Sequence, residues 1–143
     1  MKKYLFIAII ASILVSCKPD PEKPSVVTSA VTEVTESTAV SGGNVTSDGG
    51  AEVTARGVCW SVNQNPTTTD NKTVDGNGTG AFTSNISELS DSTTYYIRAY
   101  ATNSEGTSYG EEYSFTTLNI VIIFVAFIII NDVQCCETIF FTV

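Results

Sequence analysis

Residues 89–106 constrain the fold of this chain most strongly, because inward and outward residue types alternate there. Such alternation, rich in aromatic and β-branched residues, is typical of a strand with one buried face. Turn residues follow at 103–106, where Gly106 can adopt the positive φ of a tight turn. Residues 107–117 then complete a β-hairpin whose apolar face the rest of the chain must cover. The predicted inward positions are Leu89, Thr93, Tyr95, Ile97, Ala99 and Ala101, and the outward positions are Tyr96, Arg98, Tyr100 and Thr102.

This stretch resembles the late strands of the fibronectin type III family in both spacing and residue type. In that family a Tyr that follows a Leu-containing corner caps the corner through its hydroxyl, and Tyr95 holds this place here. The resemblance implies an all-β, fibronectin type III-like (immunoglobulin-like), seven-stranded antiparallel sandwich, with structural roles for Leu89, Tyr95, Asn103 and Gly106. The fold by itself implies no chemistry. The matching positions are Leu89, Asp91, Thr93, Tyr95, Ile97, Ala99, Ala101, Asn103 and Gly106.

Residues 25–118 are predicted to form one domain of this kind. Short apolar stretches recur with turn signals between them, which is typical of a sandwich. Residues 41–60 resemble the fibronectin-like repeats of Bacteroidota surface lipoproteins more than animal domains, because Trp60 lies on the third predicted strand rather than the second. The predicted strands are residues 26–34, 38–45, 52–61, 73–74, 81–89, 94–102 and 107–117.

Residues 1–16 are predicted to be a lipoprotein signal peptide. Lys2 and Lys3 precede an apolar stretch that falls short of the roughly 20 residues of a membrane-spanning helix. The stretch ends in Leu-Val-Ser-Cys17, which resembles the bacterial lipobox. In that family the Cys thiol is alkylated by a diacylglycerol and the peptide is cut before it, so the resemblance implies an acylated Cys17 that attaches the chain to a membrane. An ordinary signal peptide followed by an incidental cysteine is the alternative.

Residues 17–24 are expected to be an extended tether, because three prolines exclude helix and central strand. A lysine followed by acids after Cys17 also resembles the surface-export signals of Bacteroidota lipoproteins, although Pro21 separates the two acids. A plain solvated linker is the other interpretation. The expected location is the outer membrane or the cell surface.

Charge and composition exclude several functions. The formal net charge is −8 at pH 7, and an acidic surface repels phosphate backbones, so nucleic acid is not an expected partner. The absence of histidine from the sequence removes the commonest general base and metal ligand. Because no nucleophile–base pair is visible in the sequence, we predict neither an enzyme nor a cofactor.

No metal site is predicted either. Cys59 has no cysteine partner within residues 25–118 and is expected to be a buried small hydrophobe, while adjacent Cys135 and Cys136 lack the spacing of zinc ligands. Residues 70–78 loosely resemble a calcium loop but miss its spacing and distal glutamate. Residues 91–93, Asp-Ser-Thr, resemble the short O-glycosylation acceptor of Bacteroidota, and ordinary corner residues are the alternative.

One outward face of the predicted sheet has the composition of a ligand-binding surface. If Cys59 faces the core, its neighbours Arg56 and Trp60 face outward beside the tyrosines of the next strand. An exposed face of this kind suits the stacking of sugars or the docking of a peptide. Ordinary cross-strand pairing, with Arg98 covering the tyrosine rings, is the alternative. The candidate ligand face is Trp60, Tyr96, Arg98 and Tyr100.

Residues 119–143 depart abruptly from the composition of the preceding domain. Residues 120–130 are an unbroken apolar run, shorter than the roughly 18 residues of a membrane span. A truncated or frame-shifted gene that lost downstream domains is the preferred explanation. A strand that pairs with a partner and a second membrane contact are the alternatives.

Together these features predict a lipid-anchored cell-surface module that acts as a spacer or adhesion domain, truncated from a larger lipoprotein. Its expected partners are the membrane, through acylated Cys17, and glycans or surface proteins. The alternative is a glycan-binding accessory module of a polysaccharide-utilisation system. Exposure of Trp60 discriminates between the two, because a buried Trp60 leaves no platform on which a sugar can stack.

Overall fold

The computed structural model describes residues 19–121, which form two antiparallel β-sheets. The predicted signal peptide, Cys17, Cys135, Cys136 and most of the tail at 119–143 lie outside these residues. Within residues 19–121 no helix has the length and apolar character needed to cross a bilayer. The strands are β1 (Ser25–Thr28), β2 (Ala39–Ser47), β3 (Ala55–Ser61), β4 (Asn71–Lys72), β5 (Gly80–Ile86), β6 (Thr94–Asn103), β7 (Gly106–Tyr109) and β8 (Tyr113–Thr116).

The strands form two antiparallel sheets, as the predicted sandwich requires. One sheet has the order β1-β2-β5, and the other has the order β4-β3-β6-β7, with β8 also paired to β6. The prediction of an all-β antiparallel sandwich is therefore confirmed. The strand bounds differ in several places. The seventh predicted strand is divided into β7 and β8, which pair with opposite halves of β6, and the fourth lies at Asn71–Lys72 rather than at residues 73–74.

The division between β7 and β8 lies at Gly110, where β1 crosses close to β6. The backbone N–H of Gly110 donates to the carbonyl oxygen of Ala99 at 2.9 Å. The N–H of Ala99 donates instead to the hydroxyl of Thr28, at 3.0 Å. A Cβ atom at position 110 would lie 2.4 Å from that hydroxyl oxygen, so a glycine is needed for this approach.

The core between the sheets follows the predicted alternation along β6. Ile97, Ala99 and Ala101 are fully buried, and Tyr95 is 8% exposed. Tyr95 and Ile97 pack in one cluster with Ile86 and Phe115, and Ala101 packs in a second cluster with residues of other strands. Period-two alternation therefore identified the buried face of this strand correctly.

The first strand is shorter than predicted. β1 ends at Thr28, and only an isolated bridge joins Thr32 to Val40 beyond it. Glu33 has a φ of 50°, which extended strands do not adopt, so the backbone turns out of the sheet within the predicted range 26–34. The residue types alone gave no sign of this turn.

The two ends of β6 mark two poles of the sandwich, which we name after the chain terminus that lies at each. The N-terminal pole is at the last residue of β6, and the C-terminal pole is at its first. At the N-terminal pole, Asn103 contacts the incoming chain through the carbonyl of Glu22. At the C-terminal pole, the N–H of Thr117 donates to the carbonyl of Thr93 at 3.1 Å, just before the chain leaves the domain. β6 has 10 residues, and at about 3.4 Å per residue the poles are roughly 30 Å apart.

Candidate functional site

The corner before β6 has the arrangement expected from the fibronectin-type pattern. The N–H of Ser90 donates to the hydroxyl of Tyr95 at 3.1 Å, and Leu89 is buried. The Tyr95 ring stacks on Phe115, with 5.8 Å between the ring centroids. The hydroxyl of Thr117 donates to the carbonyl of Ser90 at 2.6 Å. Tyr95 and Thr117 thus hold the corner from its two sides, which is a structural role.

The N-terminal pole is held by a clamp centred on Asn103. Its side-chain nitrogen donates to the carbonyls of Glu22, at 2.7 Å, and Asp48, at 2.8 Å. Its side-chain oxygen accepts the N–H of Glu105 at 2.9 Å, which fixes the turn before Gly106. Asn103 is only 5% exposed, and both its side-chain nitrogen and its side-chain oxygen are hydrogen-bonded. The last residues of the predicted tether at 17–24 are thereby bound to the domain.

Trp60 faces the core, which contradicts its predicted outward orientation. In the β3–β6 register it lies opposite Ile97, and residues directly opposite share one face of the sheet. Trp60 is partly buried and packs against the cluster that contains Ile97 and Val58. The premise that Cys59 faces the core was wrong by one residue, because Cys59 lies opposite Arg98 on the outer face.

Cys59 is nevertheless fully buried, because the loop from β3 to β4 covers this part of the outer face. Its sulfur lies 3.4 Å from the carbonyl oxygen of Pro66, at the start of the covering segment. The N–H of Thr68 donates to the hydroxyl of Tyr109 at 3.1 Å, which ties the loop to β7. A sequence pattern of strands alone does not reveal that a loop folds over them.

Tyr100, which was predicted to be partly exposed, is buried as well, against the segment that follows β4. Tyr100 is only 2% exposed, and its hydroxyl donates to the carbonyl of Thr73 at 2.6 Å. Gly57 lies opposite Tyr100 and makes the contact possible, since a Cβ there would lie 2.4 Å from the same carbonyl oxygen. Burial is the largest cause that raises the pKa of Tyr100, followed by the nearby charge of Asp75.

Arg98 lies over a tyrosine ring, as expected, but the ring belongs to Tyr109. The guanidinium carbon is 4.9 Å from the ring centroid, and Nε donates to the carbonyl of Gly110 at 3.0 Å. Tyr109 was not among the residues predicted for this face, although the register of the hairpin places it there. A turn at residues 104 and 105 pairs Asn103 with Gly106 and therefore places Tyr109 opposite Tyr100.

Arg56, which was predicted to face outward with Trp60, instead lies between the sheets. Its guanidinium carbon is 5.5 Å from the centroid of the Phe82 ring. Nη1 donates to the carbonyls of Gly78 and Thr79 at the end of the β4–β5 connection and to that of Gly80 at the start of β5, the shortest bond being 2.7 Å to Thr79. Arg56 therefore holds that connection in place. The four predicted ligand-face residues do not form one exposed surface, and only Tyr96 and Arg98 of that set remain half-buried on the outer face.

The chemistry available within residues 19–121 is limited. Burial raises the pKa of Cys59 to about 11, so its thiol is protonated and unreactive near neutral pH. No group of three or more Cys, Asp or Glu side chains in this range is placed to hold a metal ion. The carboxylates of the loosely calcium-like loop act locally: Asp70 accepts the N–H of Thr67 at 2.8 Å, and Asp75 accepts the hydroxyls of Thr73 and Ser84.

The Asp-Ser-Thr motif lies in the corner before β6. Asp91 and Ser92 are exposed, and Ser92 has a φ of 51°. The hydroxyl of Thr93 donates to the carbonyl of Asp91 at 2.8 Å. These are the contacts of ordinary corner residues.

The fold and these sites define a fibronectin type III-like sandwich whose polar side chains mainly hold turns and loops. Comparison with solved structures agrees. A human fourth FNIII domain is 18% identical, with a TM-score of 0.53, and the match covers 78% of this chain and 93% of that one. The FN3 domain of human collagen XX is 15% identical, with a TM-score of 0.50, over 71% of this chain and 99% of that one.

A bacterial structure is similar to the same extent. The sensor domain of the anti-sigma factor RsgI4 of Pseudobacteroides cellulosolvens is 18% identical, with a TM-score of 0.51, over 68% of this chain and 96% of that one. No protein-family model matches the sequence, and no curated protein matches it. At these identities the likeness to solved structures shows the fold alone.

Proposed function

We propose that this protein is a lipid-anchored cell-surface module that acts as a non-catalytic spacer or adhesion domain. The observation that carries the proposal is the clamp at the N-terminal pole. Because Glu22 is bonded to Gly49 and to Asn103, the domain begins only five residues after Cys17. At about 3.3–3.6 Å per residue, an acyl group on Cys17 would hold this pole within roughly 18 Å of the membrane.

The arrangement of the two poles supports a spacer role. The chain enters beside Asn103 and leaves beside Thr117, at opposite ends of β6. Modules that are joined end to end need this arrangement, because each one then adds its full length to the distance spanned. It also fits the proposal that the protein is truncated from a larger surface lipoprotein of the Bacteroidota kind, located at the outer membrane or cell surface.

The alternative of a glycan-binding accessory module loses its structural basis. The stacking platform required Trp60 and Tyr100 to be exposed on one face. Trp60 packs against the core, and Tyr100 is buried, with its hydroxyl bonded to the carbonyl of Thr73. For an enzyme we find no support, since the thiol of Cys59 is buried and protonated.

Metabolic labelling with an alkyne-tagged fatty acid tests the anchoring. The wild-type chain should take up the label and fractionate with membranes, and Cys17→Ala should lose both properties. Cys59→Ala is the matched control and should be labelled like the wild type, because Cys59 is buried within the sandwich. Equal labelling of Cys17→Ala and the wild type would exclude acylation at this cysteine.

A further inference from the structure

The free edge of β5 lacks the protection that the other sheet edges carry. We define the β5 edge as the side of Gly80–Ile86 that faces away from β2. β1 is short and has a register shift at Ser25, β4 is two residues long and contains Lys72, and β7–β8 is interrupted at residues that include Glu111 and Glu112. Short length, charges and irregularities are the usual means by which edges avoid pairing with other chains.

The β5 edge, by contrast, is long and regular. Its seven residues pair with β2 in one continuous register, and they contain neither proline nor a charged residue. Neither β1 nor β2 contains a charged residue. In a chain of net charge −8, the whole three-stranded sheet is thus uncharged.

The register shows which backbone groups point outward from this edge. Both backbone groups of Val40 bond to Thr32, and the carbonyl of Gly42 accepts from Ser29, so these β2 residues bond away from β5. Their partners on β5 are Asn85 and Thr83. In an antiparallel pair, two directly opposite residues either bond to each other or both point their N–H and C=O groups away from each other. Because Val40 and Gly42 bond away from β5, Asn85 and Thr83 point their own groups away from β2. By alternation, the outward groups are those of Ala81, Thr83 and Asn85.

These groups have no other partner within residues 19–121. No backbone hydrogen bond of Ala81, Thr83 or Asn85 to another part of this range is present. All three side chains are exposed on the outer face of the sheet. The edge therefore presents three N–H and three C=O groups in one row, which is a template for an added strand.

We propose that the β5 edge pairs with the β5 edge of a second copy of this chain, antiparallel and centred on Thr83. This register uses all three outward residues of each copy, with Thr83 opposite Thr83 and Ala81 opposite Asn85. Threonine pairs directly across an antiparallel ladder are favourable. A second copy fits because the strands of this sheet are its uncharged part, so two acidic chains meet with the least repulsion there.

The geometry has a consequence for anchored chains, which rests on the proposed function. An antiparallel pair directs the two N-terminal poles in opposite directions. Because Glu22 is only the fifth residue after Cys17, two copies in one membrane cannot both turn this way. The pair therefore joins copies held on two facing surfaces, as an adhesion domain would.

Disulfide trapping of the acylated full chain in detergent tests the pairing without requiring a membrane. Cys135 and Cys136 are replaced by serine, and Cys59 is buried. The Cα atoms of a hydrogen-bonded antiparallel pair lie about 5.5 Å apart, a distance that suits a disulfide. Thr83→Cys should therefore give disulfide-linked dimers on mild oxidation, and raising the salt concentration should increase their yield because it screens the acidic repulsion.

Two controls test the register. Ala81→Cys alone should not crosslink, because the two sulfurs would be about 14 Å apart along the strands, but mixed with Asn85→Cys it should form the heterodimer. Asn44→Cys, exposed on β2, should stay monomeric, because it touches a partner only if the sheets stack face to face.

Three results would overturn the proposal. One is a Thr83→Cys chain that stays monomeric at concentrations where the controls are folded. Another is an Asn44→Cys chain that crosslinks equally well. The third is a monomer whose amides at 81, 83 and 85 exchange slowly with solvent, since another segment of the chain or a bound peptide would then cover the edge. None of these results bears on acylation at Cys17, which the fatty-acid label tests separately.

Discussion

Asn103 and Glu22, 81 positions apart in the chain, are joined by a 2.7 Å hydrogen bond from the side-chain amide to the backbone carbonyl. The same amide nitrogen reaches Asp48 in the turn after β2. One buried side chain therefore joins the incoming chain, the β2–β3 turn and the β6–β7 hairpin. Because of this clamp, the N-terminal pole is a defined point of attachment rather than the loose end of a tether.

Asn103→Ala should release the incoming chain from the domain. Two backbone carbonyls would lose their donor, which should lower the free energy of unfolding by about 1–3 kcal/mol. The amide of Glu22, which donates to Gly49 at 2.7 Å, should then exchange faster with solvent. Ser104→Ala, one residue away and exposed, is the control and should change neither quantity. An unchanged exchange rate at Glu22 in Asn103→Ala would show that the clamp does not hold the incoming chain.

Tyr95→Phe should lower the free energy of unfolding by about 1–2 kcal/mol, measured by urea denaturation. The substitution removes the hydroxyl that accepts the N–H of Ser90 and leaves the stacking on Phe115 in place. Tyr96→Phe on the outer face is the matched control and should have little effect. If the two variants unfold at the same urea concentration, the corner hydrogen bond contributes nothing measurable.

Gly57→Ala should displace Thr73, which directly follows β4, and with it β4 and the preceding β3–β4 loop that covers Cys59. A Cβ there would lie 2.4 Å from the carbonyl oxygen of Thr73, which is backbone and cannot yield as a flexible side chain would. Overpacking of this kind costs about 1–3 kcal/mol. We expect Cys59 to become reactive toward a maleimide in the folded protein. A stable Gly57→Ala variant with an unreactive Cys59 would contradict the role of this glycine.

Cys59 should make the free energy of unfolding depend on pH in the alkaline range. Its pKa rises from 9.0 to about 11 on folding, so between these values the unfolded chain loses a proton that the folded chain keeps. The stability contribution is therefore complete below pH 9 and is lost as the pH approaches 11. Cys59→Ala should flatten the fall in stability across this window, and unchanged slopes for the two chains would contradict the burial of the thiol.

The sequence predicted the sandwich because one strand carried nearly all the necessary information. Alternation from Tyr95 to Ala101 identified the buried face of β6, and the turn before Gly106 predicted its hairpin partner. Those signals are local in the chain. The corner contact of Tyr95 also depends on a residue only five positions away.

The candidate face was predicted less well, because it depends on contacts between distant segments. Residues 55–61 are small or apolar at almost every position, so alternation alone could not decide whether Cys59 or Trp60 faces the core. The larger side chains of Val58 and Trp60 fill the space between the sheets. Gly57 and Cys59, which are smaller, leave room on the outer face. The β3–β4 loop covers Cys59, and the hydroxyl of Tyr100 reaches the carbonyl of Thr73 beside Gly57.

The central claim is that the domain stands on the membrane by its N-terminal pole, and distance from the bilayer tests it most directly. Ser104→Cys marks the N-terminal pole, and Ser92→Cys marks the C-terminal pole; both side chains are exposed. Each is spin-labelled in the acylated chain, with Cys135 and Cys136 replaced by serine, in vesicles that carry a paramagnetic headgroup. The account predicts strong relaxation of the label at 104 and little at 92, since the poles are roughly 30 Å apart. Equal relaxation at the two positions, or stronger relaxation at 92, would contradict it.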